Sequence, residues 1–121
     1  MRDRAILVLE LIQNPKVATE IVQELAAHGH ECEKHLAEVC KVDVLSVLKQ
    51  FDHGNLSAAE VECWAKCLLD RLDVAYEFGE EGVVDEAVFW LANPALHWPI
   101  DHEMHQRIVT LFERRKVRRD K

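Results

Sequence analysis

The stretch Ser57-Ala58-Ala59-Glu60-Val61-Glu62-Cys63-Trp64-Ala65-Lys66-Cys67-Leu68-Leu69-Asp70-Arg71-Leu72 decides the fold class. Ser57 followed three residues later by Glu60 reads as a capping box, in which each side chain satisfies the other's backbone N–H, with Leu56 and Val61 set as a hydrophobic staple. Val61, Trp64, Ala65, Leu68 and Leu72 then fall at three- and four-residue spacings, the stripe of an amphipathic helix, and make Trp64 a core anchor.

The same periodicity extends outward in both directions. Upstream, Ile6, Leu7, Leu9, Leu11 and Ile12 predict a first helix, apolar nearly all round and therefore central. Asn14-Pro15 ends it, since proline pushes the preceding residue out of the helical region and suits the first turn of the next helix. That helix carries Ala18, Ile21, Val22, Leu25 and Ala26 and stops at Gly29. The helical pattern resumes from His30 through Leu36, Val39 and Cys40, with Asp43 as the cap of a fresh helix over Val44, Leu45, Val47, Leu48 and Phe51, closed by Gly54. Downstream, residues 73 to 82 form an acidic connection with a short extended piece at Val74 to Phe78, the one place where period-two alternation occurs. Helices follow from Val83 to Ala92, ended by Asn93-Pro94, and after Pro99 and Asp101 along Met104, Ile108, Leu111 and Phe112. The expectation is an all-α, single-domain bundle of five to six short helices, residues 1–113, with a basic C-terminal tail at 114–121.

Composition agrees with a folded domain: 121 residues, 49% hydrophobic and 31% charged, are globular rather than disordered. The longest apolar runs, Ala5 to Leu9 and Ala87 to Ala92, fall far short of the roughly 20 residues of a bilayer span. No secretory signal follows Met1, so the expected compartment is the cytoplasm. There the four cysteines stay reduced.

Charge is polarised. Residues 1–106 hold 20 acidic and 8 basic side chains, whereas residues 107–121 hold 2 and 7. Between residues 72 and 106 stand Asp73, Glu77, Glu80, Glu81, Asp85, Glu86, Asp101 and Glu103 and no Lys or Arg. If these carboxylates share a face they steer a cationic partner and repel phosphate; the plainer alternative is an ordinary solvated surface. The tail, with Arg107, Arg114, Arg115, Lys116, Arg118, Arg119 and Lys121, suits a helix C-terminus whose cations oppose the dipole. Nucleic-acid binding through it is disfavoured, because the acidic body repels the same phosphates.

Cysteine and histidine offer a second line. His28, Cys32 and His35 lie at i, i+4 and i+7, and Cys63 and Cys67 at i and i+4, so the two groups would satisfy a four-coordinate zinc if they converged. Neither is a Cys-x2-Cys knuckle, and buried free cysteine is the commoner fate. His102 and His105 flank the first turn of the last helix, where surface polarity or a pH-sensitive contact is expected. Ser57 already serves as a cap, and no nucleophile elbow or glycine-rich phosphate loop is present, so a non-enzymatic role is expected, with no cofactor.

The segment Phe89-Trp90-Leu91-Ala92-Asn93-Pro94-Ala95-Leu96-His97-Trp98-Pro99 is dense in aromatics. One helix cannot bury Phe89, Trp90 and Leu91 on a single face, and Trp98 sits in a proline-bounded connection within the acidic block. Aromatic anchors ringed by charge suit a protein interface; the alternative is that both tryptophans close the end of the bundle.

Phe51-Asp52-His53-Gly54-Asn55-Leu56-Ser57-Ala58-Ala59-Glu60-Val61-Glu62 resembles small bacterial immunity proteins, the helical antitoxins of colicin-type and contact-dependent inhibition systems. Leu91-Ala92-Asn93-Pro94 is similar to the helix end of uncharacterised small bacterial proteins. The resemblance implies an acidic helical protein that masks the active site of a cationic, nuclease-type toxin, and it transfers no binding residue. From charge and aromatics, the expected partner-binding residues are Tyr76, Glu77, Glu80, Glu81, Asp85, Glu86 and Trp98. The alternative expectation is a zinc-stabilised structural or regulatory module.

Overall fold

The computed structural model describes residues 4–27, 37–69, 71 and 73–119, with side chains through Glu113. In chain order the elements are α1 (Arg4–Gln13), a single 3-10 turn (Pro15–Val17), α2 (Ala18–Ala26), β1 (Ala37–Val39), α3 (Lys41–Asp52), α4 (Ala58–Leu69), β2 (Val74–Tyr76), α5 (Glu81–Ala92) and α6 (His102–Arg119). The described residues form a mostly α single domain of six helices with a minimal two-stranded sheet. Among the described residues, no helix is long and apolar enough to cross a membrane.

The capping box forms as the sequence requires: Ser57 N–H donates to Glu60 Oε1 at 2.8 Å, and Glu60 N–H donates to Ser57 Oγ at 3.1 Å. These bonds hold the Glu60 carboxyl below its ordinary range, the Ser57 backbone N–H contributing most. Leu56 and Val61 are both buried. One turn further on, Trp64 is fully buried and its indole N–H is shared between the carbonyls of Leu11, at 3.0 Å, and Ile12, at 3.2 Å. The Leu11 carbonyl would ordinarily accept from the residue four positions on. That residue is Pro15, which has no N–H. Trp64 thus fills a gap that proline opens in α1, and joins α1 to α4 through a buried polar bond that would otherwise be left unmade.

Two expectations for the first half change. Helix α1 is not central on all sides: Leu7, Val8, Leu11 and Ile12 are buried, but Ile6 and Leu9 are about half exposed, at 56% and 46%. Nor does helix continue through Val39 and Cys40. Ala37–Val39 is a strand that pairs in parallel with Val74–Tyr76, in the register Ala37 to Val74, Glu38 to Ala75 and Val39 to Tyr76. A parallel pair needs a long crossover, and α3 and α4 supply it. Asp43 is accordingly not the cap residue of α3 but its third position: Cys40, extended at φ −108° and ψ 164°, precedes the helix, and its N–H donates to Asp43 Oδ2 at 2.8 Å.

The short strand expected near Val74 is present, ending in a turn at Gly79, whose φ of +84° only glycine adopts readily. Phe78 N–H donates to Glu38 Oε2 at 2.6 Å, extending the strand pairing with a side chain. Helix α6 starts where Asp101 Oδ1 accepts the Met104 N–H at 2.9 Å, buries Met104, Ile108 and Phe112, and runs across residue 113 to Arg119. Gly29 and the segment His28, Cys32 and His35 lie outside the described residues.

Candidate partner-binding face

Helix α5 separates its residues cleanly. Val83, Val84, Ala87, Val88, Leu91 and Ala92 are buried, while Glu81, Asp85, Glu86 and Phe89 are exposed. The consecutive triplet resolves as one buried leucine, a half-buried Trp90 and a Phe89 that is 41% exposed. Because Glu86 and Trp90 are one helical turn apart, the outward side is carboxylate at its N-terminal half and aromatic at its C-terminal half.

The aromatic half continues into the connection after α5. Trp98 meets Trp90 edge to face, with ring centroids 5.1 Å apart and planes at 80°, and the Arg107 guanidinium of α6 lies 4.4 Å from the Trp98 ring centre. His97 meets the edge of Phe89 at 5.2 Å. Between α5 and α6, Trp90, Trp98 and Arg107 border an open groove of about 550 Å³, lined also by Glu86, Glu103, Gln106, Thr110 and Leu111. The groove combines indole and aliphatic surface with polar groups, Arg107 already covering the Trp98 ring, and sets Glu86 and Glu103 where they suit a cationic side chain with an apolar stem.

The seven residues singled out from the sequence do not form one patch. Glu81, Asp85 and Glu86 project from α5, and among the residues whose side chains are described, none forms an ion pair with them. Glu86 and Trp98 meet at the groove. Tyr76 lies in β2, half-buried against the core. Glu77 and Glu80 are turned inward: Glu77 Oε1 accepts the Lys41 N–H at 2.8 Å, at the positive end of α3, and Glu80 pairs with Lys41 Nζ at 2.6 Å. Lys41 Nζ also lies 5.6 Å from the Phe112 ring centre. Asp73, from the same acidic block, is fully buried and held by Arg71 through two 2.9 Å bonds and by Arg4 at 3.2 Å.

The structure adds Trp90, Glu103 and Arg107 to the face. The i, i+4 spacings of Glu86 with Trp90 and of Glu103 with Arg107 were the available signal; the meeting of α5 with α6 was not. A second cluster was also missed, although its histidines were noted: His105 Nδ1 lies 2.5 Å and His102 Nδ1 3.4 Å from Asp52 Oδ2, joining the end of α3 to the start of α6. Burial pushes the Asp52 carboxyl up, but the hydrogen bonds and charges of the two histidines outweigh it and hold the group below its ordinary range.

Cys63 and Cys67 sit together on α4, with Cys63 Sγ 3.5 Å from Thr19 Oγ1. Burial, then the neighbouring Cys63, pushes the Cys67 thiol up to about 11, and burial followed by Asp43, Glu38 and Glu77 raises Cys40. Both shifts run opposite to those of an activated nucleophile. Compared with known proteins, the chain matches no family model, no curated protein and no solved structure.

Proposed function

We propose that the protein is a non-enzymatic binding module for a basic protein, which it engages through the outward side of α5 and the groove between α5 and α6. In the specific form suggested by the immunity-protein resemblance, it acts in the bacterial cytoplasm, masking the active site of a cationic, nuclease-type toxin. The supporting observation is the division of α5: exposed Glu81, Asp85 and Glu86 lead into the Trp90–Trp98 groove, while the helix's other side fills the core. Carboxylates of this kind accelerate encounter, and the tryptophans supply the contact area that interface anchors provide. Glu77 and Glu80 are left out of the contact set because they serve within the fold.

The test is capture from source lysate at low salt, identification of the captured protein, and measurement of its affinity after purification. The wild-type chain is expected to retain a basic protein whose affinity falls as salt rises. A variant carrying Glu81→Lys, Asp85→Lys and Glu86→Lys is expected to lose it, and Trp98→Ala to weaken it by at least about tenfold, as an anchor residue does. For the immunity form, adding the chain should abolish the partner's nuclease activity. Affinity insensitive both to salt and to the triple reversal would refute the reading.

A further inference from the structure

The contact between α3 and α6 contains more than a helix-to-helix hydrogen bond requires. His105 alone satisfies Asp52: its side chain is 17% exposed, that of Asp52 is 22% exposed, and Nδ1–H donates to Oδ2 at 2.5 Å. His102 has no comparable burial to direct it, since its side chain is 73% exposed, yet its Nδ1 is turned to the same carboxylate oxygen at 3.4 Å. The two rings lie edge to face with centroids 6.2 Å apart, and all three donor atoms fall within 4.8 Å of one another.

We propose that Asp52, His102 and His105 form a binding site for a divalent transition-metal cation of the zinc class, clamping the C-terminal end of α3 to the first turn of α6. Two imidazole nitrogens and one carboxylate oxygen are the ligand set of a borderline cation; magnesium and calcium prefer oxygen throughout. Metal-to-ligand bonds of about 2.0–2.2 Å in a tetrahedron place donor atoms roughly 3.3 Å apart. The His102 contact is already at that spacing, and the His105 contact reaches it by opening about 0.8 Å as the metal replaces the shared proton. The i, i+3 spacing of the histidines sets both rings on one side of α6. Asp101, beside them, is engaged in capping the helix through Met104 N–H and does not compete. The exposed side of His102 leaves the remaining coordination positions to water. This site is distinct from the cysteine and histidine set anticipated for zinc from the sequence, whose described members, Cys63 and Cys67, lie on α4.

The discriminating probe is Co2+ alone, added to the reduced, full-length chain, with Zn2+ titrated separately by calorimetry. One equivalent of cobalt is expected to give visible ligand-field absorption without the intense near-ultraviolet band of a cobalt–thiolate bond. His102→Ala, at an exposed position where folding is not at stake, and Asp52→Asn are each expected to weaken binding of both metals at least about tenfold, since even outer-shell partners contribute 10–100-fold. Replacing Cys63 and Cys67 by serine is expected to leave both titrations unchanged. A thiolate band, affinity unaltered in His102→Ala and Asp52→Asn, or no saturable binding in the wild-type chain would each overturn the assignment.

Discussion

Two neighbouring acidic regions, residues 73–80 and the outward side of α5, look alike in sequence and differ in what the fold does with their charge. In the first, Asp73 is enclosed by Arg4 and Arg71, Glu77 accepts a backbone N–H at the start of α3, and Glu80 pairs with Lys41. In the second, Glu81, Asp85 and Glu86 meet solvent, with no ion-pair partner among the residues whose side chains are described. The absence of Lys and Arg between residues 72 and 106 therefore does not imply an unneutralised block. Its neutralising cations are Arg71, just outside it in sequence, and Arg4 and Lys41, brought close by folding. A buried charge without such a partner would be costly, whereas a solvated one is not.

The largest test of this contrast is Asp73→Ala, which leaves two guanidinium groups facing an emptied, buried position. It is expected to lower unfolding stability by about 3–5 kcal/mol, measured by denaturant titration. A loss within the range of a surface substitution would erase the distinction between the regions. Glu80→Gln removes the charge opposite Lys41 while keeping the shape, and is expected to cost about 1.5–3 kcal/mol, the range for hydrogen bonds to charged groups.

On the other side, Asp85→Lys and Glu86→Lys should each change stability by no more than about 0.5 kcal/mol, and Glu81→Lys, at the positive end of α5, by no more than about 1 kcal/mol. Their effect should fall instead on the salt dependence of partner binding. A large drop in melting temperature for the triple variant would mean that this side of α5 is structural too.

The smallest effect sharpens the comparison through Glu60, which is only partly exposed, unlike the solvated α5 carboxylates, and engaged by backbone like Glu77. Its carboxyl is held below the ordinary value in the folded state, so it contributes stability above the unfolded value of about 4.5 that disappears as pH falls through the depressed one. Glu60→Gln should flatten the acid limb of a melting-temperature profile over that interval while leaving α4 folded. An unchanged profile would show that the Ser57–Glu60 exchange carries no charge-dependent stability.

Helices whose evidence is local were legible. The capping box and stripe of α4, the proline break after α1 and the Asp101 start of α6 each depend on residues within one or two turns, where backbone hydrogen bonding is decided. Val39 was misread because three residues of strand carry too little pattern to oppose a helical reading, and their partner is 35 or more positions away. The candidate face was half legible for a related reason. Glu86 and Trp98 could be marked as charge and aromatic, and Trp90 lies one turn from Glu86 on the same helix, but Glu103 and Arg107 join them only because α5 and α6 meet. Asp52 gives no local sign of its partners, and the i, i+3 spacing of His102 and His105 does not point back to the end of α3.

By itself the sequence determined that this chain folds mainly as helices, where most of them begin and end, and which side of α5 is apolar. Those properties follow from spacing and capping between residues a few positions apart. Which carboxylates are neutralised, which tryptophans line the groove and which histidines meet Asp52 were decided only by tertiary structure. A charge or an indole has a role only relative to what stands beside it, and in this protein those neighbours include residues 36, 53 and 69 positions away.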